Sequence, residues 1–511
     1  MEFSKLAILA TILIYLVAMV LIGFYFNKKN TGFSSGDFFL GGRQLHPLVA
    51  AMSAEASDMS SYLLMGLPGL AYLCGVAEVS WTIIGLAVGT YLNWLFVARK
   101  IRHYSEHIKA ITIPDYFSKR FHDEKHTLSL IAALVILIFF VPYTASGFKA
   151  VGTLFNSLFG WNYHVSMLIG AAVIIGYTVL GGFAAVSTTD LIQSIFMTIA
   201  LVVIVFFGIA QAGGIGAVAA NAASLPGYLN VFKGYDAASG SAGSFGFFSV
   251  CTTLAWGLGY FGMPHILLRF MAIRNEEEVA LSRRIASVWV VFSMFIAMFI
   301  GIIGLGVSAA GKIPYLTTSS EAETVIVKLS DIMGAKGAVF AIIAGIILAG
   351  ILAATMSTAD SQLLAASSSV SQDLMQDYFG VKLDGKQSLG IARLTVVIIA
   401  IIGVVLAWNP DSSVFRVVSF AWAGFGAAFG PVVLLSLYWK KSNKQGALAG
   451  MLVGAVMVFV WKFGIAKLGG AFAIYELLPA FICNLVVMFI VSNVTGGADK
   501  AVQDEFDAAN A

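Results

Sequence analysis

Charge is what this chain has least of. Of its 511 residues 11% are charged and 59% hydrophobic, against about 25% charged in ordinary globular domains, which excludes a soluble protein. Lys and Arg number 30 against 27 Asp and Glu. No basic patch stands apart from the apolar segments, so nucleic-acid binding has no support. Cysteine is scarce as well: Cys74, Cys251 and Cys483 lie far apart, in or beside apolar runs. An odd count without metal-ligand spacing argues against a disulfide framework and for reduced, structural thiols. No nucleophile–base pair or metal cluster is visible, so an enzyme is not expected. One stretch, His103-Tyr-Ser-Glu106-His107, matches the H-x-x-E-H zinc pattern, but it lies in a basic loop and lacks a third ligand. The opening apolar run, Leu6–Phe26, is longer than the roughly 7–15 residues of a signal-peptide core and has no small-residue cleavage site, so it is expected to remain as a span.

What the chain does have is apolar runs of about 20 residues, the length that crosses a bilayer as a helix. Thirteen spans are expected, at 6–26, 48–73, 78–98, 127–155, 163–184, 187–210, 248–272, 286–310, 336–362, 389–408, 412–438, 445–465 and 472–494. Lys and Arg divide the loops into two sets. One holds Lys28, Lys29, Arg43, Arg99, Lys100, Arg102, Arg283, Arg284, Lys440 and Lys441, among others. The other holds only Lys5, Lys233, Lys312, Lys328, Lys336 and Lys467. Positive loops stay inside, which places the N-terminus outside and the C-terminal tail in the cytoplasm, as an odd number of spans requires. The lipid bilayer is thus a partner, and no obligatory protein partner is evident. Small-residue spacing at Gly446, Gly450 and Gly454 reads as close helix packing.

Two spans differ from the rest. The first runs LVAAMSAEASDMSSYLLMGLPGLAYLC, with Glu55, Ser57, Asp58, Ser60 and Ser61 at its middle and Gly66, Pro68 and Gly69 just after. A charge at the bilayer centre costs about 2.5–3.5 kcal/mol on insertion scales, so this middle must face protein or a water-filled cavity. A break in the helix is expected over 56–61. Glu55 is expected to be neutral or paired with a basic residue at the inner mouth. The second, FFSVCTTLAWGLGYFGMPHILLRFM, carries Gly257, Gly259, Gly262 and Pro264 at its middle, which loosens the hydrogen-bond ladder and frees backbone groups. The two are five spans apart and run in opposite directions. Paired interruptions of this kind in two inverted halves point to the binding site of a secondary transporter. The units expected are an extra helix and loop at 1–47, repeats at 48–210 and 248–438, an external loop at 211–247, two final helices over 439–495 and a tail at 496–511.

The ninth span holds ILAATMSTADSQLLAASSS, in which Ala354, Ser357, Thr358 and Ser361 share one face at helical spacing. Sodium is a hard cation that seeks oxygen. Hydroxyls of Ser357 and Thr358 beside carbonyls of Ala56 and Met59 would provide it. Single Ser and Thr residues in membrane helices more often bond back to their own helix; the adjacent pair with Asp360 in the same turn argues for an ion. Asp360, within a span, either pairs with a cation or holds a proton. Asp190, in VSTTDLIQ, either caps a helix or handles an ion. Tyr62, Tyr143, Trp256 and Tyr260 adjoin the breaks and would wall and gate a small, partly apolar solute, although aromatics in spans more often serve packing or the interface.

SDMSSYLLMGLPG (Ser57–Gly69), GGFAAVSTTD (Gly181–Asp190), WGLGYFGMPH (Trp256–His265), ILAATMST (Ile351–Thr358), YTASG (Tyr143–Gly147) and SFAWAGFGAAFGPVVLLSLYW (Ser419–Trp439) together resemble the proline branch of the sodium:solute symporter family. The likeness extends over nearly the whole chain, from Leu40 to the last span. It implies an all-α integral membrane protein of about thirteen transmembrane helices with a core of 5+5 inverted repeats of the leucine-transporter type. It also implies sodium-coupled uptake of L-proline across a bacterial inner membrane. By this resemblance one sodium would sit between carbonyls of Ala56, Met59 and Ala354 and hydroxyls of Ser357 and Thr358. Asp58 would be the essential carboxylate nearby and Asp190 would lie on the inward path. Ser60, Ser61, Tyr62, Tyr143, Trp256, Tyr260 and Pro264 match positions linked to proline binding and its external gate. Where the family's proline carriers read Ser-Gly-Trp, this chain has Ser61 and Tyr62 in the last two places. Some relatives hold a second sodium beside the inward aspartate. Asp360 and Ser361 stand at those positions, so a second cation between Asp190 and Asp360 is a hypothesis. The alternatives are coupling to protons, another small amino acid as solute, and a transporter-like membrane sensor, which the short tail disfavours.

Overall fold

The computed structural model describes residues 3–29, 39–410 and 413–509. Most of the loop expected after the first span, the first residue of the span at 412 and the two ends of the chain lie outside the described residues. Ten helices among the described residues are long and apolar enough to cross a membrane. They account for ten of the thirteen expected spans. Of the other three, those at 48–73 and 248–272 are where the helices are interrupted, and the one at 163–184 is the first part of a helix that runs on to Gln211 past a corner at Gly182.

After α1 (Phe3–Lys29) comes α2 (Pro47–Ser61), started by Pro47 at its first position and by the His46 ring accepting the Leu48 amide. The helix stays regular until Ser60, whose φ of 49° and ψ of −168° lie in a region that glycine alone adopts freely. A wide turn over Tyr62–Gly66 then leads into α3 (Leu67–Cys74). The break is therefore confined to residue 60 and the turn after it, and does not span 56–61 as expected. The next segments are α4 (Val76–Leu92), a wide turn over Asn93–Ala98, α5 (Arg99–His107), α6 (Ile113–Arg120) and α7 (Thr127–Phe159).

Helix α8 (Tyr163–Gln211) covers two expected spans with no loop between them; Gly182, at φ 64° and ψ −177°, makes the corner. After α9 (Ile215–Ser224) a hairpin of β1 (Lys233–Asp236) and β2 (Ser241–Ser244) pairs Lys233 with Ser244. The second interrupted span is α10 (Phe247–Leu254), a 3-10 stretch over Ala255–Gly262 and α11 (Pro264–Ala272). The remaining elements are α12 (Val279–Ala309), α13 (Ser319–Ala322), α14 (Val325–Gly334), α15 (Ala338–Ser368), α16 (Gly385–Leu406), α17 (Val414–Tyr438), α18 (Lys444–Phe463), α19 (Leu477–Val494) and α20 (Lys500–Ala508).

Helix α15 is the axis. Every residue from Ile347 to Ser368 is buried, and the helix packs on α8, α1, α2 and α7. A helix without a polar face belongs inside a bundle, and its Ala and Ser side chains let four neighbours approach. Exposed Ile14, Phe206 and Val288 belong to the apolar outer surface. Gly446, Gly450 and Gly454 pack α18 directly onto α19 and onto the Ala427 carbonyl, as their spacing led us to expect.

The second interruption is held open from α4 and α17. A Cβ on Gly257 would stand 2.1 Å from the Gly85 carbonyl, so only glycine allows this contact. Asn93 Nδ2 donates to the Tyr260 carbonyl at 2.9 Å, and Trp422 Nε1 to that of Trp256 at 2.7 Å. The carbonyls released by the 3-10 stretch thus find side-chain donors, as buried backbone must.

Candidate functional site

The two interrupted helices meet at Asp58. Its Oδ2 accepts the Tyr260 hydroxyl at 2.6 Å, and its backbone carbonyl accepts the Tyr143 hydroxyl at 3.1 Å. Its Oδ1 is buried and has no hydrogen-bond partner among the described residues. An unsatisfied buried carboxylate oxygen is costly and marks a place where a ligand belongs. The conformation of Ser60 is a second such cost, about 1–3 kcal/mol for an L-residue. Its Oγ accepts the Tyr62 amide at 3.1 Å, fixing the chain as it leaves the break.

One turn away lies a cluster of oxygens. Ser357 Oγ donates to the Ala56 carbonyl at 2.8 Å and approaches the Ala354 carbonyl at 3.2 Å. Thr358 Oγ1 donates to the same Ala354 carbonyl at 3.2 Å. All four are oxygens, the donor type a hard monovalent cation prefers, and with the two hydroxyl protons turned away each hydroxyl offers a lone pair in place of a proton. Four of the five expected sodium ligands are thus in direct contact. The fifth, the Met59 carbonyl, accepts the Tyr62 amide.

Beside this cluster is a small cavity lined by Asp58, Met59, Tyr62, Leu86, Tyr143, Trp256, Met294, Val418 and Trp422. Its free volume is about 10 Å³, room for about one water molecule, so the site is contracted. Tyr62 and Trp256 stack over it at 5.7 Å between centroids, with Phe415 at 5.8 Å and 5.3 Å from them and Tyr475 at 5.3 Å from Trp256. Above this lid a wider pocket of about 790 Å³ is lined by Phe415, Arg416, Ser419 and Lys462, among others. Of the residues expected to bind or gate the solute, Tyr62, Tyr143 and Trp256 line the cavity. Tyr260 supports it from behind through Asp58. Ser60, Ser61 and Pro264 form the breaks without lining it.

Asp190 and Ser361 lie one turn further along. Asp190 is inside a continuous helix, two turns past Gly182, so it caps nothing. Its Oδ2 accepts the Ser53 hydroxyl at 2.6 Å and Arg269 Nη2 at 3.1 Å, an ion pair with side chains 0% and 1% exposed. Arg269 also donates to Ser361 Oγ at 2.5 Å and to Ser53 Oγ at 2.9 Å. The cation that Asp190 meets is thus a guanidinium; Asp360 borders the same cluster through Ser361, at 3.3 Å. For Glu55, expected to be neutral or paired with a base, the hydrogen-bond partner among the described residues is an uncharged one. Its Oε1 accepts the Trp94 indole at 2.9 Å, because the wide turn at Asn93 aims Trp94 into α2.

Several residues of this region escaped the sequence reading, among them Arg269, Asn93 and Trp422. The signal for Arg269 was available, since an arginine inside an apolar span demands a counter-charge. Asn93 and Trp422 had none, because their value lies in facing another helix's freed carbonyl.

The profile of the sodium:solute symporter family matches residues 38–454. The high-affinity proline transporter PutP of Bacillus subtilis is 40% identical over 491 residues, covering 96% of this chain and 98% of that protein. The osmoregulated proline transporter OpuE of the same organism is 40% identical over 500 residues, covering 97% and 96%. A sodium/proline symporter of Staphylococcus aureus is 38% identical, covering 95% and 92%. Among solved structures, a Na+-coupled sialic acid symporter in a substrate-bound outward-open state superposes with a TM-score of 0.79 at 19% identity, covering 98% of this chain and 99% of that one. The transporter MhsT, in complex with L-phenylalanine, gives 0.55 at 13% identity, covering 88% and 99%. These likenesses establish a shared transporter fold. On the family match and the extent of the identity, this chain belongs to the sodium:solute symporter family.

Proposed function

We propose that this protein couples inward movement of sodium to uptake of L-proline by alternating access. The observation that carries the reading is the contact of Ser357 Oγ with the Ala56 carbonyl at 2.8 Å. It joins the interrupted helix α2 to the axis α15 within the chain of contacts that links the four oxygens. One sodium is bound there, by the carbonyls of Ala56, Met59 and Ala354 and the hydroxyls of Ser357 and Thr358. The names of the relatives favour proline as the solute, and the chemistry of the cavity lining agrees with it once the contracted site widens. Leu86, Met294, Val418 and Trp422 offer apolar walls to a ring of methylenes, while Asp58 Oδ1 is free to accept a secondary ammonium.

The cycle follows from these contacts. The distribution of basic loops favours an N-terminus outside, and in that orientation the aromatic lid of Tyr62, Trp256 and Phe415 faces outward. With the lid raised, sodium enters and replaces the two hydroxyl-to-carbonyl hydrogen bonds by its own coordination, which draws α2 onto α15. Proline then fills the cavity beside it, the lid closes, and the two halves of the fold (48–210 and 248–438) rock to open the other face. An inward charge gains about 2.3 kcal/mol per 100 mV of membrane potential.

Radiolabelled proline uptake into proteoliposomes, with sodium or potassium gradients at constant pH, tests this reading. Accumulation only with sodium is expected. Equal uptake in potassium at the same proton gradient would contradict sodium coupling. A panel of unlabelled small amino acids should leave proline as the strongest competitor.

A further inference from the structure

One turn below the sodium ligands, on the same two helices, a second set of contacts recurs. On α2, Ser53 is three residues before Ala56; on α15, Ser361 is four residues after Ser357. Because α2 and α15 run in opposite directions, both steps lead toward the cytoplasmic side. Arg269 joins them, donating to Ser53 Oγ at 2.9 Å, to Ser361 Oγ at 2.5 Å and to Asp190 Oδ2 of α8 at 3.1 Å. The guanidinium also bonds back to the His265 carbonyl at 2.9 Å and lies 5.2 Å from the Phe183 ring, which follows the Gly182 corner. Arg269 itself sits on α11, the half of the second interrupted helix that lies beyond its break. One side chain thus ties the inner halves of both interrupted helices to α8 and α15.

We propose that Arg269 is the inner latch of the transport cycle, a fixed cation on Asp190 that the departing sodium displaces. Sodium leaving its site for the cytoplasm meets Asp190 Oδ1, which has no hydrogen-bond partner among the described residues. As sodium takes up that carboxylate, Asp190 exchanges one cation for another and is never left as a bare buried charge, and the guanidinium it releases passes with α11 into the water of the opening inner face. The guanidinium then releases Ser53 and Ser361, and the inner halves of α2 and α11 swing away from α8 and α15. Ion release and inner opening share one carboxylate, and in this way a solute leaves only when sodium does.

The proposal rests on the sodium–proline reading above, and wild-type proteoliposomes separate the two. Absence of sodium-driven uptake in the wild type would sink that reading itself. With the wild type coupled, the latch is tested by sodium-free efflux of proline from preloaded vesicles. Arg269→Gln is expected to raise this leak about ten- to hundredfold, the weight of losing one charge-assisted hydrogen bond. Arg269→Lys keeps the charge but not the fork and should leak less than the glutamine variant, an order that a purely structural role would not produce. Asp190→Asn removes the other half of the pair and should leak as well. Insertion of these variants with sodium-free efflux no faster than wild type would overturn the latch. Should none insert, hydrogen exchange across 265–272 of the unmodified protein reads the same event. Protection is expected to fall when sodium and proline are added together, and unchanged protection would overturn the proposal.

Discussion

The chemistry of this protein comes down to a few oxygens that lack a proper partner. Ser357 gives its hydroxyl proton to the Ala56 carbonyl, just ahead of a helix break, at 2.8 Å, a bond that a cation would replace. Ser357→Ala removes one ligand, and its expected effect is a fall of about tenfold in apparent sodium affinity, with the rate at saturating sodium largely kept. Sodium titrations of proline uptake measure both. Asp58 differs, since it lines the cavity and its Oδ1 has no hydrogen-bond partner among the described residues, while Tyr260 holds Oδ2. Asp58→Asn should insert normally and lose sodium-dependent uptake about thirtyfold or more, because a buried charge partner is worth about 2–5 kcal/mol. Tyr260→Phe should lose less, since it removes only the hydrogen bond that orients the carboxylate. Uptake by Asp58→Asn at wild-type rate would remove this residue from the mechanism.

At the level of elements, both interruptions are backbone features that a neighbouring element sustains. Ser60 holds a conformation suited to glycine, so Ser60→Gly should keep insertion and match or exceed the wild-type Tm, whereas a β-branched Ser60→Val should lower it. The second interruption depends on the contact between Gly257 and Gly85. Gly257→Ala drives a methyl to 2.1 Å from a carbonyl, and at about 1–3 kcal/mol of overpacking it should both lower Tm and abolish uptake. Scanning fluorimetry beside the transport assay checks the pair. Much of this was legible in the sequence. Polar residues within an apolar run, and Gly and Pro in another, located both interruptions, and the Ser-Thr pair of the ninth span fell where the first one needs it. What was not legible depends on facing surfaces. The break narrows to Ser60 because the Ala56–Met59 turn stays helical against α15, and α8 absorbs the corner at Gly182 without a loop. Glu55 takes Trp94 because a wide turn rotates that indole inward, and Asp190 takes Arg269 from a helix nearly eighty positions away. None of these pairings leaves a mark in local composition.

On the scale of the whole molecule, α15 is an axis on which α2, α7 and α8 bear, with an aromatic lid at one end of the site and an arginine hub at the other. A bundle whose moving helix is joined to its axis by an ion should gain stability from that ion. Sodium at about a hundred times its Kd should stabilise the folded state by about 2.7 kcal/mol through mass action, seen as a rise in Tm that potassium does not reproduce and that Ser357→Ala reduces. The family match, the fold shared with other transporters and the oxygen cluster converge on transport in which ion and solute move together. The most direct test is a dual-label flux measurement in proteoliposomes, following radiosodium and radiolabelled proline in the same vesicles. Proline-dependent sodium entry in fixed proportion to proline entry is expected, with both lost together in Asp58→Asn. Proline accumulating against its gradient with no accompanying sodium would contradict the coupling outright.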